Sequence, residues 1–125
     1  MDGLGRGAAE ALGLIGRDAK AAVPSLKVAL DNQDPQVRLN AAVALARIEP
    51  QEESHVLLLV QFLKVRDPSI RATAAGSLGE MGGHARSAIP ALRQLARDDD
   101  DESVLREVNP ALEAIESDTA KLLNE

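Results

Sequence analysis

Two acid–base pairs stand out in this sequence as candidates for chemistry. Asp34 precedes Arg38 by four residues, and Asp67 precedes Arg71 by the same interval. A carboxylate and a guanidinium that converged on one pocket could bind and protonate a polar substrate. Here, however, each pair sits in the same pentapeptide, Asp-Pro-Gln-Val-Arg at 34–38 and Asp-Pro-Ser-Ile-Arg at 67–71. Asp before Pro at the head of a helical stripe is a cap: the carboxylate accepts first-turn N–H groups, and proline has no N–H to leave unsatisfied. The pairs are therefore expected to be structural.

The other reactive side chains are sparse. His55 and His84 lie 29 residues apart, and neither has a second histidine at the helical spacing of a metal site. Both are expected to be exposed residues at helix entries. Asp98 to Glu102 is an unbroken acidic run. It lacks the glycine-punctuated alternation of a calcium loop, so it reads as a helix cap with solvated neighbours. Contact with a cation or a basic partner is the alternative. No catalytic, metal-binding or cofactor-binding residue is assigned, and the chain is expected not to be an enzyme.

The elements that carry these residues repeat. A shift of 33 takes Asp34-Pro35 to Asp67-Pro68, and Ala42, Leu45 and Ile48 to Ala75, Leu78 and Met81; backwards it reaches Ala9, Leu12 and Ile15. Val23, Leu26 and Leu30 map to Val56, Leu59 and Leu63, then to Ile89, Leu92 and Ala96. The last unit slips by one, so that Asp101, Val104, Leu112 and Ile115 match the first full unit at a shift of 67. Such periods mark stacked repeats. Each unit holds two apolar stripes of helical spacing: Val23, Leu26, Leu30, and Val37, Ala41, Ala44, Leu45, Ile48. The helices expected are 4–15, 19–31, 35–48, 52–65, 68–81, 85–97 and 102–122, with Pro110 kinking or splitting the last. Gly16 and Gly82-Gly83 are placed at helix ends, where glycine accepts a left-handed backbone. The result is a single all-α domain, an α-solenoid of antiparallel helix pairs: a half repeat at 1–16, repeats at 17–49, 50–82 and 83–116, and a C-terminal extension at 117–125.

Ala11-Leu-Gly-Leu-Ile-Gly16 and Ser77-Leu-Gly-Glu-Met-Gly82, together with the two Asp-Pro pentapeptides and the strings AKAAVP and ARSAIP, resemble the HEAT-like repeats named after phycobilin lyases. The resemblance covers nearly the whole chain. It implies an arginine ladder running from repeat to repeat through Arg38 and Arg71, and a concave side lined by second helices. Two departures are visible: Ser54-His55-Val56-Leu57 replaces the Ala-Ala-Val-Pro entry in the middle unit, and Leu105 replaces the arginine in the last. Deoxyhypusine hydroxylase, an enzyme of this repeat type, binds iron through His-Glu dipeptides, and neither histidine here precedes a glutamate. The signatures of ankyrin and tetratricopeptide repeats are absent.

Composition narrows the partners. Fourteen Lys and Arg against twenty Asp and Glu leave a net charge of −6, and Phe62 is the one aromatic residue. A negative chain without stacking rings is poorly suited to nucleic acid, and its charge opposes adhesion to anionic membranes. No apolar run approaches the ~20 residues of a bilayer span. No cysteine is present, and the N-terminus has no leader pattern, so a cytoplasmic location is expected. The opening helix has no polar cap, so the chain is either a fragment of a longer array, the preferred reading, or self-associates end to end through that helix. The densest apolar run, Leu57 to Leu63, is expected to be core, with an exposed self-association strip as the alternative.

What remains is the solvent-facing strip of second helices. Asn40, Val43 and Arg47 fall at i, i+3, i+7, off the apolar stripe, and Thr73, Gly76 and Glu80 repeat them one unit later. Gly76 is expected to leave a dent in the strip, and Val43 and Arg47 are the candidate anchors. The expected function is a non-enzymatic scaffold that binds a protein or peptide on this ridge without a cofactor. The alternatives are an accessory subunit of a bilin-lyase-like enzyme or, less well supported by charge, a nucleic-acid-binding module.

Overall fold

The computed structural model describes residues 20–123. Their regular structure is helical throughout: α1 (Val23–Ala29), α2 (Pro35–Ile48), α3 (Glu53–Phe62), α4 (Pro68–Met81), a 3₁₀ segment (Gly82–Ala88), α5 (Ile89–Asp98) and α6 (Glu102–Leu123). No strand occurs among the described residues. Six of the seven expected helices are found, and α2 and α4 have the expected limits. The helix expected over 4–15, its terminal Gly16 and any self-association through it lie outside the described residues.

The repeat is visible in backbone angles as well as in residues. Asp34 and Asp67, the caps of α2 and α4, have φ/ψ of −81/119 and −72/113. Ala22 and Ala88, which lead into α1 and α5, have −88/−5 and −86/−7. The latter two explain why the expected helices 19–31 and 85–97 are shorter than predicted. Pro24 and Pro90 sit in the first turn of α1 and α5, and a proline ring clashes with the carbonyl four residues earlier in an α-helix. The α-helix proper therefore begins next to the proline, and the residues before Ile89 take tighter 3₁₀ turns, with Ala85 outside helical geometry at φ −98, ψ 18. At the other end of the middle pair, α3 stops at Phe62, and Leu63 and Lys64 make tightened i−3 bonds to Val60 and Gln61.

The chain divides into two compact units, residues 1–55 and 56–125. In the first, Leu26 and Ala29 of α1 pack with Val37, Ala41, Ala44, Leu45 and Ile48 of α2, and Ala22, Val23 and Leu30 close the margin. These are the two stripes read from the sequence. Leu26 and Leu45 are fully buried, and burial of a side chain this size is worth about 1.5–3 kcal/mol. In the second unit, α4 and α6 pack along each other, both rest on the 3₁₀ segment, and α6 also packs on α5. Val56, Leu59, Phe62 and Leu63 are buried while Leu57 is exposed, so the dense run is mainly core.

Two details of the second unit depart from expectation. Of the two outcomes expected at Pro110, a kink or a split, the split does not occur: Pro110 lies inside α6. Pro110 is exposed, whereas Val104, Val108, Ala111 and Ile115 make one buried stripe on both sides of it. The lost hydrogen bond faces water, and the stripe holds the two halves in one element. The second detail is a close approach. A Cβ on Gly79 would stand 2.9 Å from both the Cα and the Cβ of Ala111; only glycine lets α4 and α6 come this near.

Gly82, placed at a helix end by the sequence, has φ +56, and a Cβ there would meet the Asp118 carboxylate. Gly83 donates its N–H to Asp118 Oδ2 at 3.2 Å. The segment beyond 116, read as an extension, thus braces the corner after α4. Leu78→Ala should cost about 2–5 kcal/mol in urea melts because Leu78 is fully buried. Gly79→Ala, which adds a methyl to a filled helix crossing, should cost about 1–3 kcal/mol. Ser77→Ala should do the opposite: the Ser77 hydroxyl is buried with no partner among the described residues, its register equivalent is Ala44, and removing it should stabilise by about 1 kcal/mol.

Candidate functional site

The acid–base pairs that opened the sequence reading are parts of the helix corners. Asp34 Oδ1 accepts the N–H of Gln36 at 2.9 Å. Asp67 Oδ1 accepts both the N–H and the hydroxyl of Ser69, each at 2.9 Å. Asp101, one unit on, does the same for Ser103 and also accepts the Val104 N–H. The Ser69 hydroxyl first, then the Ser69 N–H, holds the Asp67 carboxyl below its ordinary value; the Ser103 hydroxyl is the chief cause at Asp101. These carboxylates are engaged as caps, which leaves them poorly suited to take up a substrate proton.

The arginines collect the carbonyls that the preceding turn leaves over. Arg38 Nη1 donates to the carbonyls of Asn32 at 2.6 Å and Gln33 at 3.1 Å. Arg71 Nη1 donates to those of Val65 at 2.9 Å and Arg66 at 2.6 Å. Arg71 also reaches forward, its Nε to Asp99 Oδ2 at 2.8 Å, where both side chains are largely buried. Asp99 in turn accepts the Asp101 N–H at 3.0 Å. Asn32 accepts the Asp34 N–H at 2.9 Å in the same way, and this pair stands 67 residues earlier, which confirms the one-residue slip of the last unit. Within the second unit the ladder implied by the sequence is this Arg71–Asp99 bridge. Leu105 offers no guanidinium for a further step.

His55 corrects an expectation. It is buried, 5 % exposed, and its Nε2 lies 3.0 Å from Glu49 Oε1. Its neighbour Val56 is fully buried, so the side of α3 that carries the entry residues faces inward. His84 is exposed, as expected. Among the described residues no group of three or more His, Cys, Asp or Glu is placed to hold a metal ion.

The six ridge residues stand on two helices, each in its own unit. On α2, Asn40, Val43 and Arg47 are half-buried and lie outside the core stripe. Asn40 accepts a hydrogen bond from Gln36 Nε2 at 3.0 Å. On α4, Thr73 and Glu80 are exposed, and the Thr73 hydroxyl donates to the Ser69 carbonyl at 2.9 Å. Gly76 is not the dent that was expected. A Cβ on it would lie 2.9 Å from Glu107 Oε2, so the Glu107 side chain fills that space from α6. Glu107 was missed as a ridge residue, although the shift of 67 that aligns the last unit carries Asn40 onto it. In the second unit the strip is therefore more acidic than predicted. Elsewhere in that unit, a cleft of about 420 Å³ opens among Leu63, Lys64, Ala91, Gln94, Leu95 and Asp98. Its polar lining is Lys64, Gln94 and Asp98.

Comparison with family models matches residues 29–113 to the HEAT repeats, more than half of the chain. The chain belongs to the HEAT-repeat family. Its fold class is accordingly all-α and solenoid, and HEAT repeats generally mediate protein–protein interaction. No curated protein matches the sequence. No described helix is long and apolar enough to cross a membrane.

In this HEAT-repeat chain the capping carboxylates set a pH dependence of known sign. The Asp67 and Asp101 carboxyls titrate below the ordinary aspartate value when folded, so they stabilise above the unfolded value and that contribution is lost as pH falls through the folded value. Asp67→Ala should lower Tm at neutral pH. The gap from the parent protein should narrow as thermal melts are taken from pH 5 down through the carboxyl range. A gap that widened on acidification would contradict the capping role.

Proposed function

We propose that this chain is a non-enzymatic interaction module that takes a protein or peptide across the solvent-facing residues of its second helices. The observation that carries this reading is a division of labour on α2 and α4. Around each helix the other positions are already used: the core stripes are buried, the first turn is capped by aspartate, and the arginine is committed to loop carbonyls. Asn40, Val43 and Arg47, and in the same register Thr73, Gly76 and Glu80, are left outside the core.

Val43 and Arg47 are the anchors on this reading. Val43 supplies apolar area, and Arg47 supplies a charged fork for a partner's carboxylate; interfaces concentrate their energy in few such residues. On the second unit Glu107 adds a carboxylate to the strip, which favours a basic residue of the bound segment there. No cofactor and no nucleic acid enters this reading: the net charge of −6 works against phosphate binding.

The test uses Val43→Glu with Arg47→Glu, and Leu57→Glu as a control at an exposed apolar residue away from the ridge. Against a partner recovered by affinity capture, the double variant should bind at least about tenfold more weakly with its thermal melt unchanged, while Leu57→Glu binds as the parent does. Unchanged binding by the double variant together with loss in Leu57→Glu would move the site to α3. Tight, steeply salt-dependent binding of duplex DNA would replace the protein-binding reading altogether.

A further inference from the structure

We infer that Arg38, at the Asp-Pro corner of α2, is a receptor for a single carboxylate side chain of a bound protein. The inference comes from comparing the two arginines that hold the corners. Arg71 divides its guanidinium in two. Nη1 donates to the loop carbonyls of Val65 and Arg66. The other edge, Nε with Nη2, forks onto Oδ2 and Oδ1 of Asp99 at 2.8 and 3.4 Å. Arg38, its equivalent at a shift of 33, uses Nη1 in the same way, on the carbonyls of Asn32 and Gln33. Among the described residues no acceptor stands at its Nε or Nη2.

The residue types explain why the second edge is left over. The residue 28 positions beyond Arg71 is Asp99, whereas 28 positions beyond Arg38 lies Arg66; allowing for the one-residue slip, the register equivalent of Asp99 is Val65. Neither carries a carboxylate. Asp34, the acid of Arg38's own corner, has its Oδ1 on the Gln36 N–H. A guanidinium has donors only. The edge that Arg38 keeps is the planar fork whose spacing matches the two oxygens of a carboxylate.

Two features set this edge apart from an ordinary surface charge. It is held in place: two bonds to backbone carbonyls fix the guanidinium before any ligand arrives, so less side-chain freedom is lost on binding than at a loose arginine. It is also half-buried, and a charge-assisted bond is stronger where bulk water is partly excluded. The chemistry of the ligand is displayed within the molecule, since Asp99 is what the same edge of Arg71 accepts. The occupant is accordingly an aspartate or glutamate of a protein. The net charge of −6 favours one such side chain in an otherwise neutral or basic segment and repels an acidic run. The site does not use Asn40, Val43 or Arg47, so it stands or falls apart from the ridge.

The experiment follows the arginine Nε–H resonances of the isotope-labelled full chain by NMR at neutral pH. The probe is aspartate blocked at both ends, N-acetyl-aspartate N-methylamide; the control is the blocked asparagine with sodium chloride at matched ionic strength. The Arg38 resonance should shift saturably with blocked aspartate and stay in place with the control. Its dissociation constant should lie at least about fivefold below that at Arg106, which is exposed. Arg71, already occupied by Asp99, should not move. Asp99→Ala releases the second edge of Arg71, whose resonance should then gain the response that Arg38 shows. The inference is overturned if Arg38 does not respond, responds equally to the control, or responds no more strongly than Arg106. It is overturned equally if the released Arg71 of a folded Asp99→Ala variant stays silent. Should that variant fail to fold, the titration of the parent decides alone.

Discussion

Every helix end leaves four backbone groups without an intrahelical partner, and this demand governs a chain whose first described helix is 7 residues and whose second is 14 residues long. Helices this short do not hold themselves together. Their ends must be satisfied within a few residues, without side chains that the core needs. The Asp-Pro corner does this in two moves. The aspartate takes the amides that the coming helix cannot use, and the arginine four residues on takes the carbonyls that the preceding turn cannot use. Because the arginine sits one turn inside the helix, it fixes the direction in which the loop enters, and so the angle at which the two helices of a pair meet.

Once the corners are set, each second helix has its faces assigned. In the first unit α2 packs on α1, in the second α4 and α6 pack on each other, and each N-terminal turn serves the loop. The remaining strip is where a partner is proposed to bind. In the second unit the assignment is enforced by glycine and acid: Gly79 admits Ala111, Glu107 leans over Gly76, and Asp118 holds the corner at Gly82 and Gly83. All of these contacts are made by α6 with residues about thirty positions earlier. The long last helix is therefore the brace of its unit.

The function proposed is one of shape and surface. Asp34, Asp67 and Asp101 are committed to caps, Arg38 and Arg71 to loop carbonyls, and His55 and Glu49 to one another. What varies from repeat to repeat without disturbing the corner is the strip at 40, 43 and 47 and its equivalents. Its identity can change with the partner while the fold persists, which is how one architecture serves many interactions.

Sequence alone determined what depends on residues within about a dozen positions of one another. The Asp-Pro caps, the apolar stripes and the limits of α2 and α4 were legible because an N-cap acts on the next three amides and a stripe returns every turn. The repeat made them more legible, since each corner was written twice. Tertiary structure alone decided whatever depends on a neighbour far along the chain. His55 reads as an entry residue until the inward face of α3 is known. Gly76 reads as a dent until Glu107 arrives to fill it, and a split at Pro110 stays open until one buried stripe is seen to run past it. In each case the local signal was correct about the residue and silent about what would pack against it, and the energy of burial outweighed the local preference.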